Sequence, residues 1–100
     1  MVNDDLDRVR ALLVNETGIR SSKVTESSRL VEDLRIDGDD LADLMHSYFE
    51  RLSVDQTGFN ADRYIPDEGF SLFGRERKTQ PITVSMLVEG VRSGRWPDAS

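Results

Sequence analysis

Carboxylates are the side chains best suited to chemistry in this chain, and they are concentrated in one stretch. Between positions 32 and 50 a single basic residue, Arg35, stands among seven acidic ones: Glu32, Asp33, Asp37, Asp39, Asp40, Asp43 and Glu50. Carboxylates at this density act as acid–base groups, as metal ligands or as a docking face for a basic partner. The sequence offers them no apolar surroundings that would tune them for acid–base catalysis, so we do not expect that role.

A metal site is not expected in this stretch either. If Asp33 were the first position of a calcium-binding loop, Arg35 would take the third position and Leu44 the twelfth, where acidic residues belong. The chain has no cysteine and one histidine, His46, so a thiolate site, a multi-histidine site and a catalytic triad are not expected. We therefore predict no metal, no cofactor and no enzymatic activity, and we place His46 at the surface or boundary of its helix.

The same stretch contains the clearest helix of the chain. Its apolar residues follow an i, i+3, i+4, i+7 series that places them on one face: Leu41, Leu44, Met45, Tyr48, Phe49 and Leu52. Asp37 or Gly38 stands at the N-cap position, and Asp39 and Asp40 in the first turn complement the helix dipole. We predict a helix that ends near Ser53, with its acidic start turned outward.

Two further helices are predicted on either side of this central one. The first covers about 4–17 and ends at Gly18, a typical residue just beyond a helix. A polar loop anchored by Val24 follows. The last helix begins after Thr83, a plausible N-cap, and ends at Gly94, with Trp96 covering the open end of the core.

The segment between the central and last helices is harder to interpret. A short helix is predicted over Phe59–Ile65, ended by Pro66. Beyond it, the sequence fits either a small β-hairpin, with Phe70–Phe73 against Lys78–Ile82, or a loop anchored by its aromatic residues. Arg75, Arg77 and Lys78 form a small basic patch there, which indicates a solvated loop tip or a second contact surface.

Length and composition limit the number of domains, the class of partner and the cellular location. One hundred residues predict a single domain over 1–100. A net charge of −6 argues against nucleic-acid binding and favours basic protein partners. No apolar run approaches the roughly 20 residues of a membrane span, and the acidic N-terminus lacks the features of a signal peptide. We therefore expect a cytoplasmic protein without membrane insertion.

From Gly18 to Val54 the chain resembles an acyl carrier protein. The residues that carry the resemblance are Gly18-Ile19, Val24-Thr25, Leu30-Val31-Glu32-Asp33-Leu34, Leu44, Met45, Leu52 and Ser53-Val54, together with Ile82-Thr83-Val84 before the last helix. The resemblance implies an all-α, four-helix carrier-like bundle, here with an extended irregular segment before the last helix. It also implies that carboxylates on the second helix dock onto basic patches of partner proteins.

The chain departs from acyl carrier proteins at their attachment site. Those proteins have Asp-Ser-Leu at the start of the second helix, and phosphopantetheine is esterified to the serine. Here the three positions are Asp37, Gly38 and Asp39. Glycine has no oxygen to hold a phosphodiester, and Asp39 puts a charge where an apolar leucine is expected. The chain is therefore not expected to be a conventional carrier.

Three features resemble a bacterial branch of acyl-carrier-like proteins of unknown function: Gly38-Asp39-Asp40, the enlarged 55–80 segment and Gly94-Arg95-Trp96. We predict a non-enzymatic interaction module that presents an acidic helix face to a basic partner protein: Asp37, Asp39, Asp40, Asp43 and Glu50. The alternative is a carrier that binds an acyl chain non-covalently or is modified at another serine, with Ser27, Ser28 and Ser47 as candidates.

Overall fold

The computed structural model describes residues 4–36, 38–60, 64 and 80–97. Three α-helices lie in these ranges: α1 (Asp4–Thr17), α2 (Gly38–Arg51) and α3 (Val84–Ser93). One turn of 3-10 helix, Ser21–Lys23, follows α1. None of the helices in this described part of the chain is long and apolar enough to cross a membrane.

The ends of α1 and α3 follow from their capping residues. Gly18 takes the left-handed conformation, with φ 74°, and its N–H donates to Val14 O over 2.9 Å. The Thr83 side chain accepts a hydrogen bond from the N–H of Met86, and Gly94 ends α3 with φ 82°. The predicted bounds of α1 and the predicted caps of α3 are confirmed.

The core lies between the apolar faces of the three helices. α2 contributes five buried apolar side chains: Leu41, Leu44, Met45, Tyr48 and Phe49. The hydroxyl of Tyr48, fully buried, donates a hydrogen bond of 2.7 Å to Leu87 O in α3. Gly90 makes room for that hydroxyl, because a Cβ at this position would overlap Tyr48 Oη. Tyr48 thus fixes α2 against α3 through one hydrogen bond and one close contact.

Two short backbone pairings connect the loops at the ends of α2 to the ends of α3. Before α2, Leu30 N–H donates to Ile82 O and Val84 N–H donates to Ser28 O, each over 2.9 Å. After α2, Asp55 N–H donates to Gly94 O and Trp96 N–H donates to Asp55 O, also over 2.9 Å. Both ends of α2 are therefore held by backbone hydrogen bonds that run outside the helices.

The prediction of a four-helix bundle is wrong, since the described residues form three α-helices. Phe59 and Asn60 are not helical. The Phe59 N–H closes a turn onto Gln56 O, and Asp55 is paired with the C-terminal segment, so the chain leaves α2 in an irregular path. Tyr64 is helical, and residues 61–63 and Ile65 of the predicted helix lie outside the described residues.

The predicted β-hairpin is likewise not found. Its first strand, Phe70–Phe73, and most of its second lie outside the described residues. The described end of the second strand, 80–82, forms no strand, and Ile82 pairs with Leu30 instead of with a hairpin partner. A single antiparallel bridge between Arg29 and Thr83 continues this contact.

Candidate acidic docking face on α2

The acidic face of α2 consists of Asp39, Asp40, Asp43 and Glu50, all of them exposed. At about 100° of rotation per residue, Asp39, Asp43 and Glu50 project within about 40° of one another. They lie on the side of the helix opposite the buried Tyr48, with Asp40 beside them. Asp37, the fifth predicted member, lies outside the described residues.

Among the described residues, Glu50 has a nearby basic partner, unlike the three acidic residues at the start of the face. Within the described ranges, Asp39, Asp40 and Asp43 make no ion pair. Glu50 Oε2 lies 2.8 Å from His46 Nε2, and both side chains are about three-quarters exposed. This contact is an ion pair only when the imidazole is protonated. The N-terminal half of the face therefore has the more available negative charge.

Gly38 is the first residue of α2 and is buried. The resemblance to acyl carrier proteins implies a serine at this position, to which phosphopantetheine is esterified. Gly38 offers no side-chain oxygen at all. The start of α2 therefore has exposed acidic residues next to a glycine that offers no attachment point.

The alternative serines are engaged within the protein. Ser28 is buried, and its hydroxyl donates to Lys23 O over 3.1 Å and accepts from the N–H of Thr25. Ser47 donates to Glu16 Oε1 over 2.9 Å, at the contact between α2 and α1. Ser27 is exposed, 3.3 Å from the Thr25 hydroxyl, in the loop rather than at the start of a helix.

Asp33 is hydrogen-bonded within the loop before α2 and is not part of the acidic face of α2. Its carboxylate accepts a hydrogen bond of 2.8 Å from the Arg29 N–H and two of 3.1 Å from the Arg29 guanidinium. These hydrogen bonds lower the pKa of Asp33, with the side-chain bond as the largest cause. In the parts of the chain that the structure describes, no group of three or more ligand residues is placed to hold a metal ion.

Trp96 covers the end of the core, as predicted. It is 3% exposed and packs edge-on against Phe59 and Tyr64, with ring centroids 4.9 and 5.4 Å apart. Its indole Nε1 has no hydrogen-bond partner in the structure's described ranges. Most of the residues predicted for the loop or hairpin before α3 lie outside those ranges, including Phe70, Phe73, Arg75, Arg77 and Lys78.

Sequence reasoning missed a hollow beside the C-terminal end of α2. It has a volume of about 300 Å³ and is lined by His46, Phe49, Glu50, Val54, Asp55 and Gln56. The only local signal was the turn-like run Asp55-Gln56-Thr57-Gly58, which places a carboxylate directly after the helix. That run did not reveal that Asp55 shares a hollow with Glu50.

Comparison with known proteins finds a matching family and a partly similar relative. Residues 5–97 match a family described as protein of unknown function, DUF1493. An acyl carrier protein of Akkermansia muciniphila is 29% identical over 62 residues, which are 62% of this chain and 66% of that protein. The match thus spans slightly less than two thirds of that relative. No solved structure matches. The resemblance to acyl carrier proteins is therefore supported as a partial sequence similarity, and the chain belongs to the DUF1493 family of proteins of unknown function.

Proposed function

We propose that this chain is a non-enzymatic, acyl-carrier-like interaction module that docks a basic partner protein through the acidic face of α2. The observation that carries the proposal is the combination at the start of that helix. Asp39, Asp40 and Asp43 are exposed and make no ion pair within the described ranges, whereas Gly38 is buried and has no side chain to modify. The arrangement suits recognition and lacks the attachment chemistry of a carrier.

The charges predict how such a complex would behave. Exposed carboxylates at an interface mainly raise the association rate and select the partner, and salt screens them over about 8 Å at physiological ionic strength. Each exposed ion pair contributes roughly 0.2–1 kcal/mol, and reversing its carboxylate adds a repulsion of similar size. Two reversals therefore cost roughly 0.8–4 kcal/mol, which is about fourfold to several-hundredfold in affinity. We expect binding to weaken with salt, and to do so less when the two carboxylates are reversed.

The alternative is a carrier that holds an acyl chain without a covalent bond or is modified at another serine. The similarity to an acyl carrier protein supports it. The geometry of the serines does not, because Ser28 is buried and Ser47 is hydrogen-bonded to Glu16. Native mass spectrometry of freshly purified protein tests the non-covalent form, which requires a bound lipid mass that denaturation removes.

The docking proposal is tested by a pull-down with Asp40→Lys/Asp43→Lys. Asp4→Lys/Glu32→Lys is a matched control, since it changes the net charge equally at exposed positions outside α2. We expect the partner, identified by mass spectrometry, to be lost with the first variant and retained with the second. Circular dichroism should be the same for both. Equal recovery with the α2 variant would refute the docking role.

A further inference from the structure

The hollow at the C-terminal end of α2 combines an apolar floor with an acidic rim. Phe49 and Val54 form the floor and are 9% and 4% exposed. Glu50 and Asp55 are exposed carboxylates at the rim, and His46 and Gln56 complete the lining. A volume of about 300 Å³ lies at the lower end for ligand pockets, which suits one long side chain better than a folded element.

The wall that holds Asp55 is fixed by hydrogen bonds. Val54 N–H donates to Phe49 O over 3.1 Å, and Asp55 is paired through its backbone with Gly94 and Trp96. The Asp55 carboxylate accepts from the N–H of Thr57 over 2.9 Å. That backbone hydrogen bond is the largest cause of a lowered pKa at Asp55, so the group stays ionised at neutral pH. The hollow therefore presents a fixed negative charge before any ligand arrives.

We propose that this hollow receives an arginine side chain of the partner protein. This inference rests on the proposed docking function and names the residue that anchors it. Charge complementarity to Glu50 and Asp55 selects a cation, and the apolar floor accepts the stem of a long side chain. The planar guanidinium of arginine forms paired hydrogen bonds with carboxylates and stacks on aromatic rings. The ammonium of lysine is compact and strongly hydrated, so arginine fits the hollow better than lysine.

Each carboxylate of the hollow has a neighbour within the protein that competes with a ligand for it. His46 Nε2 lies 2.8 Å from Glu50 Oε2, so a protonated imidazole competes with the incoming guanidinium for Glu50. Within the described ranges Asp55 makes no ion pair, but the charge of Arg95 acts on its carboxylate, which also accepts hydrogen bonds from the N–H and the side chain of Thr57. An incoming arginine would therefore share Glu50 with His46 and Asp55 with Arg95.

The direct test is an NMR titration of the ¹⁵N-labelled chain with N-acetyl-arginine methylamide. N-acetyl-citrulline methylamide has the same shape without the charge, and the lysine analogue has the charge without the planar fork. We expect saturable amide shifts at His46, Phe49 and residues 54–56 with the arginine probe, weaker binding with lysine and no saturable shift with citrulline. The absence of saturable shifts with arginine, or equal binding of citrulline, would overturn the proposal.

The matched variants are Glu50→Gln/Asp55→Asn in the hollow and Asp4→Asn/Glu32→Gln elsewhere. Asparagine at position 55 keeps an oxygen that accepts the Thr57 N–H, so the turn is retained. We expect at least tenfold weaker arginine binding for the hollow variant and a change of less than twofold for the control.

These experiments distinguish a failure of the arginine-site proposal from a failure of the docking-face proposal. Unchanged binding by the hollow variant, or arginine shifts confined to residues 39–43, would overturn the hollow as the arginine site and leave the docking face intact. Loss of partner with Asp40→Lys/Asp43→Lys tests the docking face alone.

Discussion

The contact between Tyr48 and Gly90 determines how α2 sits against α3, and it predicts strong coupling between two substitutions. A Cβ at Gly90 would overlap Tyr48 Oη, and the next contacts are Tyr48 Cζ and Arg95 O, each at 3.4 Å. Gly90→Ala should therefore push the Tyr48 hydroxyl away from Leu87 O. Tyr48→Phe removes the hydroxyl and leaves room for the alanine methyl.

The expected changes in the free energy of unfolding follow from the same contacts. Tyr48→Phe loses one hydrogen bond, about 1 kcal/mol, while Leu87 O keeps its partner within α3. Gly90→Ala costs about 1–3 kcal/mol from overpacking and about 1 kcal/mol from the displaced hydrogen bond, offset by about 1 kcal/mol of helix propensity. In the double variant the overlap disappears and the propensity gain remains, so its stability should return to near that of the wild type. The expected coupling is about 2–4 kcal/mol.

The assay is urea unfolding of the four proteins, followed by far-UV circular dichroism and by the fluorescence of Trp96, the only tryptophan. The double variant should unfold within about 0.5 kcal/mol of the wild type, and Gly90→Ala should be the least stable of the four. Additive costs in the double variant, or a Gly90→Ala protein as stable as the wild type, would refute the packing of α2 on α3 described above.

Three further predictions test local features of the fold. Thr83→Ala should destabilise the chain by about 1 kcal/mol through loss of the cap on α3, and Thr83→Ser should restore most of it, as measured by thermal unfolding. Ser53 has φ 55°, so Ser53→Gly should raise the melting temperature slightly and Ser53→Val should lower it. The lowered pKa of Asp33 stabilises the folded state above about pH 4, and that contribution is lost as the pH falls through the folded-state pKa. The unfolding free energy of Asp33→Asn should therefore fall less steeply than that of the wild type between pH 5 and pH 2.

The three α-helices could be predicted because their signals are local. Periodic apolar residues gave the buried face of α2, and Gly18, Thr83 and Gly94 gave the ends of α1 and α3. The exposed positions of Asp39, Asp40 and Asp43 follow from the same periodicity. Each of these features depends on residues within a few turns of one another.

The path of the chain after α2 could not be predicted, because it depends on contacts distant in sequence. Asp55 is held by Gly94 and Trp96, about 40 positions later, and Ile82 pairs with Leu30. The turn around Asp55 looked like an ordinary loop, so neither the absence of a helix at Phe59 nor the hollow beside Glu50 was apparent from sequence alone. The fourth helix was expected from the family resemblance and from a weak local pattern, whereas the described residues form three α-helices and Tyr64 is the one helical position described in the predicted segment.

We propose that α2 keeps a recognition face, whereas Gly38, at the position of the carrier serine, has no side chain to modify. The most direct measurement is the intact mass of the chain after incubation with coenzyme A and a promiscuous phosphopantetheinyl transferase, with a conventional acyl carrier protein in the same tube as positive control. We predict that the control gains the mass of the phosphopantetheine arm and that this chain keeps its mass. A gain of that mass by this chain would contradict the claim.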